Sequence, residues 1–564
     1  MLTIRRLAAL ISIAALVAAC GKSASSGGGD APLAFAPADT PYAYANLEPM
    51  PADVLAAQSK QMHAIWPLIF EQYDAMLNDA NALDEHTHKI AKAILDELRA
   101  RDNLDKMREI GFKPDGHIAF YGVGLIPVLR MELSDPAAFK AMIARIETKI
   151  GEKIATGKTG AQEYWQFGDA KMSAIVAIEN SHLVLTFWAA DASDQVKQTL
   201  LGITRPAKSL ADAGVLQAIA KQYGYSPYGE GYFDFVALVQ RLSSAPTGSD
   251  LEIAKAMKLP TDGAITDPVC KTEILAIAKT FPRVLVGAEN VAPNHVRVGM
   301  QFEIAAPLAQ EIAATLTAAP GTGSSPQGLM DFSLSLPVLK LKDFWLKQAD
   351  AIVAKPFACS SLAELNESFR SSKAKIDTTI PPPISDLTGL RFSVSRMAPG
   401  ATGAMPDVAG KFLMGTSNPL AAIGMAQMAL PQLKDLKITT DGKPVALPAG
   451  IAPGTPPITI AASDKAIAVA TGKGEEANLG EFLSAPAATS PVFLRMQFSG
   501  AIYGLMGRYS DMLKHQLRPD KADALDQTKL FALYEKMLHT VEFSFEANAS
   551  GIAMHETVDM NPAE

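Results

Sequence analysis

Cysteine is nearly missing: the 564-residue chain has 3. A disulfide-dense scaffold is therefore excluded. Tryptophan is sparse, at 4, and aromatic residues make up 7% of the chain. Charged residues reach 20%, with 59 acidic against 51 basic side chains, a net charge of −8. No global basic field exists to recruit nucleic acid or anionic lipid. Beyond the N-terminal segment no stretch approaches the length of apolar sequence that a membrane-spanning helix needs. What is present fits a globular protein: 48% hydrophobic residues, with 40 Gly and 37 Pro. The length suggests about two to four domains.

The N-terminus carries the strongest pattern. Arg5 and Arg6 form a positive start, Leu7 to Val17 an apolar core, and Val17-Ala18-Ala19 precede Cys20. This predicts a signal peptide over residues 1–19. The segment resembles the lipobox of bacterial lipoproteins. That resemblance implies diacylglyceryl transfer to the Cys20 thiol, cleavage between Ala19 and Cys20, and acylation of the new amino group. Gly21, where that family uses Asp for inner-membrane retention, implies sorting to the outer membrane of a Gram-negative cell, with the body in the periplasm. Residues 20–33 read as the lipidated cysteine and a Gly/Ser tether, reaching about 20 Å. Loss of residues 1–19 removes Arg5 and Arg6, so the net charge becomes −10. An acidic body is repelled by anionic lipid, which leaves anchoring to the acyl chains.

With Cys20 lipidated, Cys270 and Cys359 remain. An oxidising compartment favours pairing them, against the alternatives of two separate thiols or a metal pair lacking partners. A bond would close a loop of about 90 residues, worth about 4–5 kcal/mol in the loop-entropy picture. Asp267-Pro268 predicts a helix start at Cys270. Ser361 with Glu364 predicts a capping box just after Cys359.

Along the chain, alternation and three-four spacing predict an α+β fold in two related halves, each a mainly antiparallel sheet with hairpins packed on helices. The first half spans 34–318 and the second 329–564, joined by a linker at 319–328, APGTGSSPQG. The hairpin around Glu179-Asn180-Ser181 has a counterpart around Ser463-Asp464. The hairpin turning at Ala292-Pro293-Asn294 has one turning at Asn548-Ala549-Ser550-Gly551. This recurrence predicts a tandem duplication. A single long helix is expected from Asp84 to Ile110.

Pro37-Ala38-Asp39-Thr40-Pro41, Leu210-Ala211-Asp212 and Tyr232-Phe233-Asp234 follow one another in an order similar to that of uncharacterised exported bacterial domain families. The resemblance implies an α+β periplasmic body and carries over no functional residue.

Catalytic signatures are few. His555-Glu556 lacks the second histidine of a zinc-protease motif. Asp84-Glu85-His86-Thr87-His88 places two histidines on different faces of a helix, which reads as a solvated helix start. Gly157-Lys158-Thr159 reads as a turn, because no strand and correctly spaced glycine precede it. The uncharged stretch Pro419–Leu433, with Met425 and Met428, reads as a buried core helix, with an adaptable groove as the alternative. Tyr223, Tyr225, Tyr228 and Tyr232 form a tyrosine-rich loop expected to pack on the adjoining sheet. The expectation is a non-enzymatic lipoprotein that binds an envelope partner, with neither metal nor cofactor and no nucleic acid. A carrier of lipid or another apolar ligand, and an envelope hydrolase with dispersed catalytic residues, are the alternatives.

Overall fold

A computed structural model describes residues 30–77, 85–168, 171–398, 407–449, 451, 457–517 and 527–562. The expected signal peptide 1–19, Cys20 and most of the expected tether lie outside the described residues, as does Asp84. The fold is α+β and divides into two compact units. Unit 1 holds the chain to Gly299, together with Gln527–Leu533; unit 2 holds Met300–Leu517 and Tyr534–Met560.

Unit 1 is built on an antiparallel sheet. Its strands are β1 (Tyr42–Ala45), β2 (Ile118–Val123), β3 (Ile126–Glu132), β4 (Thr156–Thr159), β5 (Gln162–Gly168), β6 (Met172–Glu179), β7 (His182–Ala189), β8 (Glu230–Asp234), β9 (Arg283–Ala292) and β10 (His295–Glu303). In space they run β4-β5-β6-β7-β3-β2-β1-β8-β9-β10. The central strands are apolar on both parities, as β7 shows with Leu183-Val184-Leu185, because both faces are covered. One face packs Ala43, Ala119, Val128 and Val184 against Phe35, Leu201, Leu210 and Leu216. The other packs against helices Ala52–Leu77, Glu85–Arg99 and Pro136–Ile150 through Trp66, Leu98 and Ile146.

Unit 2 has β11 (Met330–Ser335), β12 (Leu387–Ala398), β13 (Asp407–Thr416), β14 (Val445–Ala446), β15 (Ile458–Ala462), β16 (Ala466–Thr471), β17 (Val492–Ser499), β18 (Leu538–Asn548) and β19 (Gly551–Met560). Their spatial order is β14-β15-β16-β13-β12-β11-β17-β18-β19. Apart from β4, this repeats the order of unit 1 strand for strand. One face of this sheet carries a buried ionic cluster. Arg391 donates to Asp331 at 2.8 and 3.3 Å and lies under the Phe482 ring at 4.5 Å. Arg495 donates to the carbonyls of Gly321, Thr322 and Ser324 at 2.8–3.2 Å.

Those carbonyls correct one expectation. Residues 319–328 form a packed loop inside unit 2 rather than a linker, with Ala319 fully buried and Arg495 holding the backbone. The unit boundary falls earlier, within β10. The long helix expected to Ile110 also ends sooner, at Arg99. Asn103 starts a new short helix by accepting from Lys106 N at 2.9 Å, which requires an extended residue between the two. The capping box at Ser361 is replaced by a 3-10 turn, Ser360–Leu362.

Candidate functional site: an apolar cavity and a charged cleft

Helix Pro136–Ile150 frames the cavity of unit 1. Asp135 accepts from Ala137 N and Ala138 N, Pro136 occupies the first turn, and Gly151 closes the end in the left-handed region. Phe139, Met142, Ile143 and Ile146 then share one face at three-four spacing. Its entry depends on Gly111, at φ +85, where a Cβ would stand 2.2 Å from the Asp135 carbonyl oxygen. Helix Glu85–Arg99 adds Ile94 and Leu98.

Opposite these helices lies the sheet. One row crosses eight strands: Trp165, Val176, Leu185, Leu129, Phe120, Tyr44, Gly231 and Val286 are successive partners. Val176, Leu185, Leu129 and Phe120 form the floor of a cavity of about 200 Å³. Of its lining side chains only Thr186 is polar, and its hydroxyl donates to the Pro127 carbonyl at 3.0 Å. The wall thus offers water few partners and suits an apolar guest. Phe120, 36% exposed, and Tyr44, 41% exposed, carry the floor out to the surface.

A larger cleft of about 770 Å³ lies in the same unit. Asp250 lines it, accepting from Leu125 N at 2.7 Å and from Arg241 at 3.5 Å. Arg241 also donates to Asp39 at 2.9 Å. Burial raises the Asp250 carboxyl above its ordinary range, against the lowering pull of the Leu125 amide and Arg241. Gly124 at φ +67 admits this approach, since a Cβ there would lie 2.4 Å from the carboxylate. The chemistry of the set is that of an ion-paired acceptor. Sequence patterns gave no sign of it, because its members come from four separate segments.

The residues singled out in the sequence are scattered. Cys270 and Cys359 are buried and disulfide-bonded, and Asp267 caps the helix at Cys270 as expected. His86 pairs with Glu152 at 3.0 Å on an exposed helix start. No group of three metal-ligating side chains occurs among the described residues. Gly157-Lys158-Thr159 lies in β4 rather than a turn, with Lys158 on Glu163 at 2.7 Å. Tyr225 is buried and stacks on Tyr223, and Tyr232 donates to the Thr40 carbonyl at 3.1 Å. The Met425 helix, Pro419–Ala429, corrects its reading as a core helix: Ala422 and Ile423 are buried, while Met428 is 79% and Leu420 60% exposed. Its apolar residues exceed one core-facing stripe.

No family model matches the chain, and no curated protein matches it. Among solved structures, crystal form I of TP0453 aligns with 52% of this chain and 89% of its own, at 12% identity and a TM-score of 0.24. A likeness at that level supports no argument about fold or activity. No helix among the described residues is long and apolar enough to cross a membrane.

Proposed function

We propose that the chain is a membrane-tethered, non-enzymatic binding protein whose unit 1 takes an apolar chain, such as one acyl chain of a lipid. The cavity between sheet and helices carries this reading: its walls are apolar, its single polar group is satisfied internally, and its floor continues to the surface at Phe120. The pattern around Cys20 supports attachment to the outer membrane through the protein's own lipid, facing the periplasm. The shared strand order of the two units supports their origin by tandem duplication. Organic extraction and mass spectrometry of the full chain isolated from cells test the binding. A stoichiometric apolar ligand is expected, and Ala174→Phe, which fills the cavity from β6, should abolish it without lowering the unfolding midpoint. An empty extract from the native chain would sink the proposal.

A further inference from the structure

Unit 2 repeats the cavity-forming elements of unit 1 in the same chain order, but leaves them open. Its row Val445, Ile460, Val469, Phe412, Phe392, Phe332, Met496 and Phe543 consists of successive strand partners. Strand for strand, Ile460, Val469, Phe412 and Phe392 stand where Val176, Leu185, Leu129 and Phe120 form the floor in unit 1. The face is apolar and uncovered in part: Phe412 is 41% exposed, and its partners Phe392 and Val469 are half-buried.

The cover differs in the same way. In unit 1 the helices after β1 bury Trp66, Phe70, Leu95 and Leu98. The helices after β11, Val338–Ala354 and Ala363–Ile376, bury only Ala349 among the described residues, and stack Trp345 on Phe369 at 5.4 Å. Leu339 is 47% exposed and Trp345 36%. The helix after β3 closes the unit 1 cavity. Its counterpart after β13, Pro419–Ala429, packs Ile423 beside Ala462 and Ile467, with Met414 and Ile460 against them, and leaves Met425 and Met428 exposed. Flexible, exposed methionines on this helix suit a chain of variable shape. Neighbouring exposed apolar side chains of this kind are what a binding surface presents.

We propose that this face of unit 2 is a second, open groove for the acyl chain of a lipid. The inference rests on the reading of unit 1 as an apolar-chain site. The unit 1 cavity argues for the occupant, since the same sheet positions there line an almost wholly apolar cavity that reaches the surface.

Photolysis of the full chain with a diazirine-bearing palmitate, followed by peptide mapping, tests it. Labelled peptides are expected from β3, β6 and β7 and also from β12, β13, β15 and β16. Phe412→Glu should cut the unit 2 label at least tenfold and leave the unit 1 label in place, and the milder Phe412→Ala should reduce it in part. Circular dichroism and an unchanged unfolding midpoint would confirm that both variants fold. Label confined to unit 1 overturns this inference and leaves the first reading standing. Label in neither unit overturns both. Unit 2 label that survives Phe412→Glu overturns the groove. A dimer that Phe412→Glu converts to monomer shows a second copy on this face, and also overturns it.

Discussion

Glu230 begins β8 with its side chain fully buried, and neither carboxyl oxygen has a hydrogen-bond partner among the described residues. Burial, reinforced by the charge of Glu48, pushes its pKa up to about 8. The unfolded chain releases that proton near the ordinary glutamate value of about 4.3. The folded state therefore holds an extra proton across this window, and stability falls as pH rises from about 4.3 to 8, by up to about 1.4 kcal/mol per pH unit, then levels off. Glu230→Gln should remove this slope and raise the urea midpoint at pH 8. An unchanged pH profile in the variant would refute the assignment. His182 acts from the opposite side. Burial and the neighbouring Arg130 lower its pKa to about 4, so its contribution is lost as pH falls from about 6.5 towards that value. Neither group was legible in the sequence. A glutamate at the head of Glu-Gly-Tyr-Phe-Asp reads as a loop residue until its pairing with Ala45 and Gly287 places it inside the sheet.

Among elements, the helix Pro136–Ile150 shows what local sequence can specify. Its start, its stop and its inward face are all written in adjacent residues. Removing the cap with Asp135→Ala should cost about 1 kcal/mol by chemical denaturation. A loss well below that would mean the helix is held by packing alone. The hairpins were equally legible, since short apolar runs flank the turn residues at Asn180 and at Asn548. The packed loop at 319–328 was not. Gly, Pro and Ser describe a linker and a tight turn equally well, and only the distant Arg495 decides between them. The exposure of the Met425 helix was missed for a related reason. Apolarity all round signals burial, unless the helix borders an apolar groove.

For the whole molecule, the recurrence of hairpins foreshadowed the matching strand order, while the cavity stayed hidden because its walls come from strands and helices far apart in sequence. The anchoring proposal is tested at this scale. Cys20→Ser should abolish incorporation of labelled palmitate and move the chain from the membrane fraction to another; retained label would refute lipidation at Cys20. The first described residues bear on how such an anchor would act. Phe35 is clamped between Arg130, 3.7 Å from its ring centroid, and Arg205 at 4.1 Å. Arg130 in turn holds the Leu201 carbonyl and Glu179, and the neighbouring backbone is fastened through Leu210 N to Ala36 O and Ala38 N to Lys208 O. Tension from such an anchor, arriving along the chain at Asp30, would meet a wedged ring and two backbone ties before it reached β1. For a chain anchored at Cys20 these ties would act as a strain relief, spreading drag over the back of the sheet instead of peeling away β1.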